Sequence, residues 1–314
     1  MEARAPAVRV AADARGSRLG HLLDSEKWLG WLMIGPAILY IVLLVGFPFF
    51  LALYYSVSDI TIGSRSLNFV GLKNFAGIIG TANFKTSLKN TFIFALVSQI
   101  LVLVLAKILA LALYKDFRGK WLVRFLILLP WVAPISLGTI GWLWILDSIY
   151  SVINWTLQAM GLISPDNWPM WLGIPRLAMG SVITVHVWRL LPLATVILLA
   201  GLSSIPQDIH DAAAVDGAGF WRHLFQITVP LLLPIMTVAV LFGAVFTFTD
   251  MIVIYVLTRG GPYDTTQVLA SLAFFTGIQG GDLAEGAAIA LFLFPLLLAA
   301  AVVFLRIARR AEVT

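Results

Sequence analysis

Residues 211–230, DAAAVDGAGFWRHLFQITVP, form a polar stretch rich in alanine and glycine within a strongly hydrophobic sequence. The stretch contains two aspartates, one arginine and one histidine. Hydrophobic runs at 177–201 and 231–257 flank it. Each run exceeds the roughly 20 residues that a helix needs to cross a lipid bilayer. The stretch is therefore predicted to be a loop that joins two membrane spans.

The composition of the whole chain is that of an integral membrane protein. Its 314 residues are 60% hydrophobic and 12% charged, and the mean hydropathy is +0.95. Soluble domains are about half apolar and about a quarter charged. Only helices or closed barrels satisfy every backbone polar group within lipid, and barrel strands alternate apolar with polar residues. The runs here are continuously apolar, which predicts an all-α membrane protein.

Six hydrophobic runs are candidates for transmembrane helices. The first is the longest, the third is expected to be broken by Pro130 and Pro134, the fourth contains Arg189 and the fifth contains Asp250. The runs cover residues 28–57, 88–113, 125–146, 177–201, 231–257 and 286–305.

The distribution of lysine and arginine predicts the orientation, because cytoplasmic flanks carry an excess of these residues. With the N-terminus inside, 13 lie in inside segments and 6 in outside segments. Both termini are therefore expected in the cytoplasm, as a tail at 1–27 and a tail at 309–314 around a membrane domain at 28–308. The first tail has no apolar core, so it is not expected to be a cleaved signal peptide.

Several chemistries are not supported by the sequence. There is no cysteine, no HExxH pair and no GxxxxGK[ST] phosphate loop, and the four histidines are scattered. We therefore expect no metal site, no cofactor, no enzymatic activity and no ATP hydrolysis by this chain. The net charge of +5 is explained by basic residues beside membrane spans, so no nucleic-acid partner is expected. The histidines are His21, His186, His210 and His223.

Residues 204–230, here named the elbow, are predicted to form two short helices joined at a glycine. Ser204 is a candidate N-cap, and Pro206 suits the first helical turn. Gly217 suits the left-handed position that ends a helix, and a second helix runs to Pro230, where the next span begins. Small residues at the tip of the elbow allow another surface to approach closely, as when a helix docks in a groove. An ordinary cytoplasmic loop is the alternative.

The elbow resembles the EAA loop of ATP-binding cassette (ABC) importer permeases. In that family an acidic residue and two alanines precede a glycine by four residues, and Ile-x-Leu-Pro follows nine residues after the glycine. Asp211, Ala212, Ala213, Gly217 and the segment 227–230 match this spacing, with Asp in place of Glu and Val229 in place of Leu. VLTRGGPYDTT at 256–266 and FVGLKNF at 69–75 resemble the maltose and glycerol-phosphate branch.

The resemblance implies a type I ABC importer permease of the bacterial inner membrane, with six spans and a core at 88–308. It implies a second permease subunit, two ATPase subunits that bind ATP and Mg²⁺, and an extracytoplasmic sugar-binding protein. The elbow would be the coupling helix, with Asp211 facing a basic group of the ATPase. The expected coupling residues are Asp211, Ala212, Ala213, Asp216, Gly217 and Ala218.

Ionisable residues within spans cost several kcal/mol unless they are paired or hydrated, so Arg189 and Asp250 are candidate functional residues. Three alternatives are open. The two side chains pair with each other, or they line a polar cavity and contact substrate, or Asp250 is hydrated near the outer interface. Lys107 is expected to extend towards the cytoplasmic headgroups.

The resemblance to the maltose-type permease places a sugar site on the fourth and fifth spans. An aromatic platform beside polar side chains would suit a carbohydrate. Arg189 departs from that permease, whose corresponding residue is apolar, and this allows a glycerol-phosphate-type or other anionic substrate. The residues expected to bind substrate are Trp188, Arg189, Leu190, Leu193, Phe248, Thr249 and Asp250.

Three rival functions remain at this stage. An ion-coupled secondary transporter needs no partner and often shows inverted repeats. An intramembrane enzyme needs a nucleophile–base or metal constellation, and the sequence shows none. A permease subunit that only supports its partner would lack a substrate site altogether.

Overall fold

A computed structural model describes residues 26–64 and 67–312, with side chains at 28–64 and 67–307. Most of the predicted tail at 1–27 lies outside this range, as do His21, residues 313–314 and the side chains of the tail at 309–314. The chain divides into two compact units, Met1–Ala52 and Leu53–Thr314.

The described residues form helices joined by loops. Their bounds are α1 Glu26–Ile41, α2 Phe47–Ser56, α3 Lys73–Ile79, α4 Ala82–Tyr114, α5 Lys120–Val132, α6 Ile135–Ile145, α7 Val152–Ala159, α8 Pro175–Ser204, α9 Gln207–Val215, α10 Phe220–Arg222, α11 Val229–Thr249, α12 Ile252–Leu257, α13 Leu269–Phe274 and α14 Leu283–Glu312. Short π-helical segments follow α1, α10 and α13, at Val42–Gly46, His223–Thr228 and Phe275–Gln279.

The predicted all-α membrane architecture is confirmed. Within the described residues, five continuous helical stretches are long and apolar enough to cross a bilayer, and the pair α5 and α6 makes a sixth if it counts as one span. The five stretches are Trp28–Ser56, Ala82–Tyr114, Pro175–Ser204, Phe220–Thr249 and Leu283–Ile307. In the first unit, residues 28–41 of α1 are apolar on every face, which is the composition of a helix solvated by lipid.

The third predicted span, 125–146, is not one straight helix. It consists of α5 and α6, whose axes differ by 97°. A proline ring pushes the residue before it out of the helical region, and Ala133, which precedes Pro134, accordingly has a ψ of 140°. Pro130 lies inside α5 and does not break it, so the predicted break at this proline was wrong.

The fifth span differs at both ends from the predicted range of 231–257. The helix begins earlier, at Phe220, and ends at Thr249. Asp250 has an extended backbone, and Ile252–Leu257 forms the separate helix α12. The prediction that the span continues through Asp250 was wrong. Hydropathy averages over many residues, so it does not reveal a break in the helix that a single side chain stabilises.

The core of residues 53–314 forms around the contact of α4 with α8, and α11 packs against both of them. Lipid is as apolar as these side chains, so close van der Waals packing holds the helices together more than burial from water. Phe94 on α4, Leu190 and Leu198 on α8, and Leu232 on α11 are among the large side chains that are fully buried. A second buried cluster joins α3, α4, α13 and α14 through Ile78, Phe84, Leu269, Leu272 and Ile289.

Helix α14 approaches the segment after α13 through a pair of glycines. A Cβ atom added to Gly286 would meet the Cα and, at 2.7 Å, the backbone nitrogen of Gly277. Backbone atoms cannot move aside as the end of a flexible side chain can. The two glycines therefore set the distance between these elements.

Replacing Gly286 with valine is expected to destabilise the fold by about 1–3 kcal/mol, the usual penalty for overpacking a core. The melting temperature of the purified protein in detergent would measure this effect. Gly180→Val on α8 is the matched control, since a Cβ atom there meets nothing within 4 Å. Equal melting temperatures for the two variants would contradict the close glycine contact.

The segment 256–266 forms a turn that is firmly held by α4. Asn90 donates its side-chain amide to the carbonyl oxygens of Asp264 and Gln267, at 3.2 and 3.0 Å. Tyr263 and Asp264 have positive φ angles of 51° and 59°, which non-glycine residues adopt rarely. The turn presents Tyr263, which is 91% exposed, to the surroundings.

Candidate functional site

The elbow has the helix–glycine–helix form that the sequence predicted. Helix α9 ends at Val215, and Gly217 has a φ of +69°. The backbone nitrogen of Gly217 donates to the carbonyl of Ala214 at 3.1 Å, and that of Ala218 donates to Ala213 at 2.9 Å. These bonds close the last helical turn, and only glycine adopts the left-handed angle there without strain.

The tip of the elbow leaves most of its small residues uncovered. Ala213 is buried and Ala218 is half-buried. The other expected coupling residues, Asp211, Ala212, Asp216 and Gly217, are exposed. Asp211 accepts one hydrogen bond, from the side-chain amide of Gln207 four residues earlier, at 3.1 Å. Val215, at the end of α9, is 87% exposed.

Two details of the elbow differ from the prediction. Ser204 does not cap α9; it is the last residue of α8, and its hydroxyl donates to the carbonyl of Gly201 at 2.8 Å. The second arm does not stop at Pro230 but runs into α11 as one helix. The π-helical segment His223–Thr228 precedes that proline, and such local widening accommodates a proline in a membrane helix.

Two histidines join the arms of the elbow, which the sequence analysis did not predict. His210 Nδ1 on α9 lies 2.9 Å from His223 Nε2 on the second arm. His223 Nδ1 lies 3.3 Å from the hydroxyl of Thr228. One ring donates and the other accepts, so the bond ties α9 directly to the helix that continues into the membrane.

Arg189 and Asp250 form an ion pair within the membrane domain. Arg189 Nη2 donates to Asp250 Oδ2 at 2.8 Å. The side chain of Asp250 is 3% exposed and that of Arg189 is 16% exposed. Of the three alternatives that the sequence left open, the structure shows the pair, and the burial of Asp250 argues against hydration at the outer interface.

Asp250 accepts four hydrogen bonds and starts a new helix. Oδ2 accepts from Arg189 and also lies 2.8 Å from His186 Nδ1. Oδ1 accepts from the backbone nitrogens of Ile252 at 2.9 Å and Val253 at 3.3 Å. The carboxylate therefore holds α8 and at the same time caps the first turn of α12.

His186 extends this network to α4. Because His186 Nδ1 faces a carboxylate, it carries the proton and donates. Nε2 lies 2.9 Å from the hydroxyl of Thr247, which accepts from the side-chain amide of Gln99 at 2.7 Å. Gln99, Thr247, His186 and Asp250 thus form a continuous polar chain through the packed helices α4, α11 and α8.

A cavity of about 270 Å³ lies where α11 ends and α12 begins. Irregular backbone at membrane depth is tolerated where it lines a cavity or is buried in protein, and residues 250–251 meet this condition. Phe246 contributes an aromatic ring, and its edge contacts the Trp131 ring with centroids 5.4 Å apart. The cavity is lined by Ile135, Arg189, Phe246, Thr249, Asp250, Met251 and Ile252.

The family of binding-protein-dependent transport system inner membrane components matches residues 102–312. The chain belongs to this family. It is a multi-pass permease subunit of an ABC transporter of the inner membrane.

Similarity to related permeases extends over almost the whole chain and supports the same assignment. The trehalose/maltose transport system permease protein MalF of Thermococcus litoralis is 34% identical over 288 residues, covering 90% of this chain and 95% of MalF. The sulfoquinovosyl glycerol transport system permease protein SmoG of Agrobacterium fabrum is 29% identical, covering 91% and 92%. A chain of a bacterial alginate ABC transporter, solved with a periplasmic protein, shares the fold with a TM-score of 0.78, 20% identity and coverage of 94% and 98%.

The permease places three of its seven expected substrate residues at the cavity: Arg189, Thr249 and Asp250. Leu190 is 2% exposed and packs in the core. Phe248 packs against the second buried cluster and against Phe92. It lies two residues after Phe246, and a two-residue step turns a helix by about 200°. The aromatic ring at the cavity is consequently Phe246.

The remaining expected residues of the permease, Trp188 and Leu193, do not line the cavity. Trp188 contacts Trp142 edge to face, with ring centroids 5.6 Å apart, and Leu193 is half-buried.

Lys107 places its ammonium 5.5 Å from the centroid of the Phe225 ring, beside the second arm of the elbow. His186 and Gln99 were not among the predicted site residues, although a polar side chain in an otherwise apolar span is a signal that could have identified them.

Proposed function

We propose that the permease and a second permease subunit form the path by which a carbohydrate or related polyol is imported. A binding protein outside the membrane delivers the substrate. Two ATPase subunits bind ATP and Mg²⁺ and drive transport through the elbow. In this proposal the permease has no catalytic role, needs no cofactor of its own and has both termini in the cytoplasm.

The observation that carries this proposal is the cavity at the break between α11 and α12. Buried ionisable residues in a span mark a substrate or ion pathway by default. Here Arg189 and Asp250 line a space that also has the ring of Phe246 and the hydroxyl-bearing Thr249 on its wall. Aromatic and polar groups together suit the two kinds of surface on a sugar.

The relatives support a carbohydrate as the substrate class. Their names specify trehalose, maltose and sulfoquinovosyl glycerol. Similarity to these permeases extends over nine-tenths of the chain, so it includes the membrane helices around the cavity as well as the elbow.

The geometry of the elbow supports coupling to the ATPase subunits. Its tip presents an exposed surface of small residues, and the bond between His210 and His223 links α9 to the second arm. The second arm is continuous with α11, which ends at Asp250. A displacement of α9 would therefore be transmitted along one continuous helix to the cavity.

ATP hydrolysis by the complete transporter tests the proposal. The permease would be co-purified with its partner permease and ATPase subunits in lipid nanodiscs. Hydrolysis is expected to rise several-fold when the binding protein and its carbohydrate are both added. An ion-coupled transporter would form no complex with an ATPase and would take up substrate along an ion gradient, which would contradict the proposal.

A further inference from the structure

We propose that Arg189 binds an acidic group of the transported carbohydrate, a carboxylate such as that of a uronic acid. The inference rests on the proposed function and specifies the substrate class of the same cavity. It follows from the way in which the hydrogen bonds of Arg189 and Asp250 are distributed.

Arg189 has donors to spare. A guanidinium carries five N–H groups, and the pair with Asp250 uses Nη2. Nε is buried and has no hydrogen-bond partner among the residues that the structure describes. If Arg189 only neutralised Asp250, we would expect a bidentate ion pair, in which the guanidinium donates two parallel hydrogen bonds to the carboxylate.

Asp250, in contrast, does not depend on Arg189. Its Oδ1 is occupied by the backbone nitrogens of Ile252 and Val253, and its Oδ2 also accepts from His186. Three donors therefore remain if Arg189 turns away. Arg189 can therefore donate a hydrogen bond to an incoming oxyanion while the Asp250 carboxylate keeps its other hydrogen bonds. Leaving a buried carboxylate without hydrogen bonds would be costly.

The lining of the cavity affects how strongly Arg189 attracts an anion. Ile135, Phe246, Met251 and Ile252 are apolar, and an apolar environment strengthens interactions between charges. Asp250 also lines the cavity, and its charge is shared with His186 and two backbone amides, which limits its repulsion of an incoming anion. Neutral hydroxyl groups can be bound by amides and hydroxyls, which avoid the penalty of placing a guanidinium in a membrane. The planar fork of arginine matches the two oxygens of a carboxylate.

Uptake of matched sugars into proteoliposomes tests the inference. The complete transporter would be supplied with its binding protein and with radiolabelled disaccharides, each offered as the neutral sugar and as its uronic-acid counterpart. Wild type is expected to take up the acidic sugar. Arg189→Gln is expected to lower uptake of the acidic sugar by about 10- to 100-fold, the range for losing a charged hydrogen bond, and to lower uptake of the neutral sugar by a smaller factor, so that the ratio of acidic to neutral uptake falls.

Two further variants separate recognition from structure. Arg189→Lys keeps the charge and is expected to retain part of the preference for the acid. Arg259→Gln removes an equal charge from the exposed turn at 256–266 and is expected to leave the preference unchanged.

The outcomes distinguish the inference from the function on which it rests. Equal losses of acidic and neutral uptake in Arg189→Gln would show that the residue only supports the fold, and would overturn the inference. A wild-type transporter that takes up neutral sugars and not their acidic counterparts would overturn it as well, while leaving carbohydrate import intact. A transporter that takes up neither kind of sugar would contradict the proposed function itself.

Discussion

Replacing Gly217 with tryptophan is expected to leave membrane insertion intact and to reduce substrate-stimulated ATP hydrolysis to the unstimulated rate. Gly217 has a φ of +69°, an angle that costs other residues about 1–2 kcal/mol. A Cβ atom there meets nothing within 4 Å, so the new side chain begins in open space. It would instead occupy the surface that a partner must approach closely. Hydrolysis by the complex in nanodiscs measures the effect.

Gly161→Trp provides the matched control for this variant. Gly161 also has a positive φ, of 72°, and an open surrounding, but it lies outside the elbow. The two substitutions therefore carry the same backbone strain. Full stimulation in Gly161→Trp together with none in Gly217→Trp supports coupling through the elbow. Normal stimulation in Gly217→Trp would refute that role.

Replacing Asp250 with alanine is expected to cause the second large effect, a loss of both stability and transport. The change removes the acceptor for Arg189 and His186 and leaves a buried guanidinium unpaired. Breaking a buried pair in this way costs about 3–5 kcal/mol. The cap of α12 is lost as well. We expect a lower melting temperature in detergent and a decrease in uptake of more than tenfold.

Asp147→Ala isolates the part of this effect that comes from losing hydrogen bonds between a carboxylate and backbone amides. Asp147 Oδ1 accepts from the backbone nitrogens of Ile149 and Tyr150, at 2.7 and 2.8 Å, which resembles the way Asp250 caps α12. These amides hold the pKa of Asp147 below its ordinary value. Its variant loses the two hydrogen bonds to the backbone amides of a turn but no ion pair, so its melting temperature should fall by much less. Equal decreases in the two variants would contradict the importance of the charged network.

The features that the sequence predicted well depend on local chemistry. Continuous hydrophobic runs indicate membrane helices because lipid offers no partner for a backbone polar group. The left-handed turn at Gly217 follows from the freedom of glycine, and the break before Pro134 follows from the steric effect of a proline ring. In each case the residues that decide the structure are neighbours in the chain.

The features that the sequence did not predict depend on contacts between distant residues. Phe248 and Phe246 have the same chemistry, and only the packing of α11 determines which ring faces the cavity. Hydropathy continued the fifth span through Asp250, whereas the side chain of Asp250 stabilises a break there by capping α12. The contact of His186 with Asp250 joins residues 64 positions apart, a separation that no sequence period indicates.

The central claim is that the elbow docks on an ATPase subunit in the cytoplasm. The chain has no cysteine, so single cysteines can be introduced at Val215, in the elbow, and at Tyr263, beyond the far end of the Phe220–Thr249 helix. That helix has 30 residues and is about 45 Å long.

Cross-linking of these two variants in the intact transporter is the measurement to make. We predict that Val215→Cys cross-links to an ATPase subunit and resists membrane-impermeant maleimide added outside cells, whereas Tyr263→Cys reacts with the maleimide and does not cross-link to the ATPase. Labelling of Val215→Cys from outside, with no cross-link to an ATPase, would contradict both the orientation and the coupling role of the elbow.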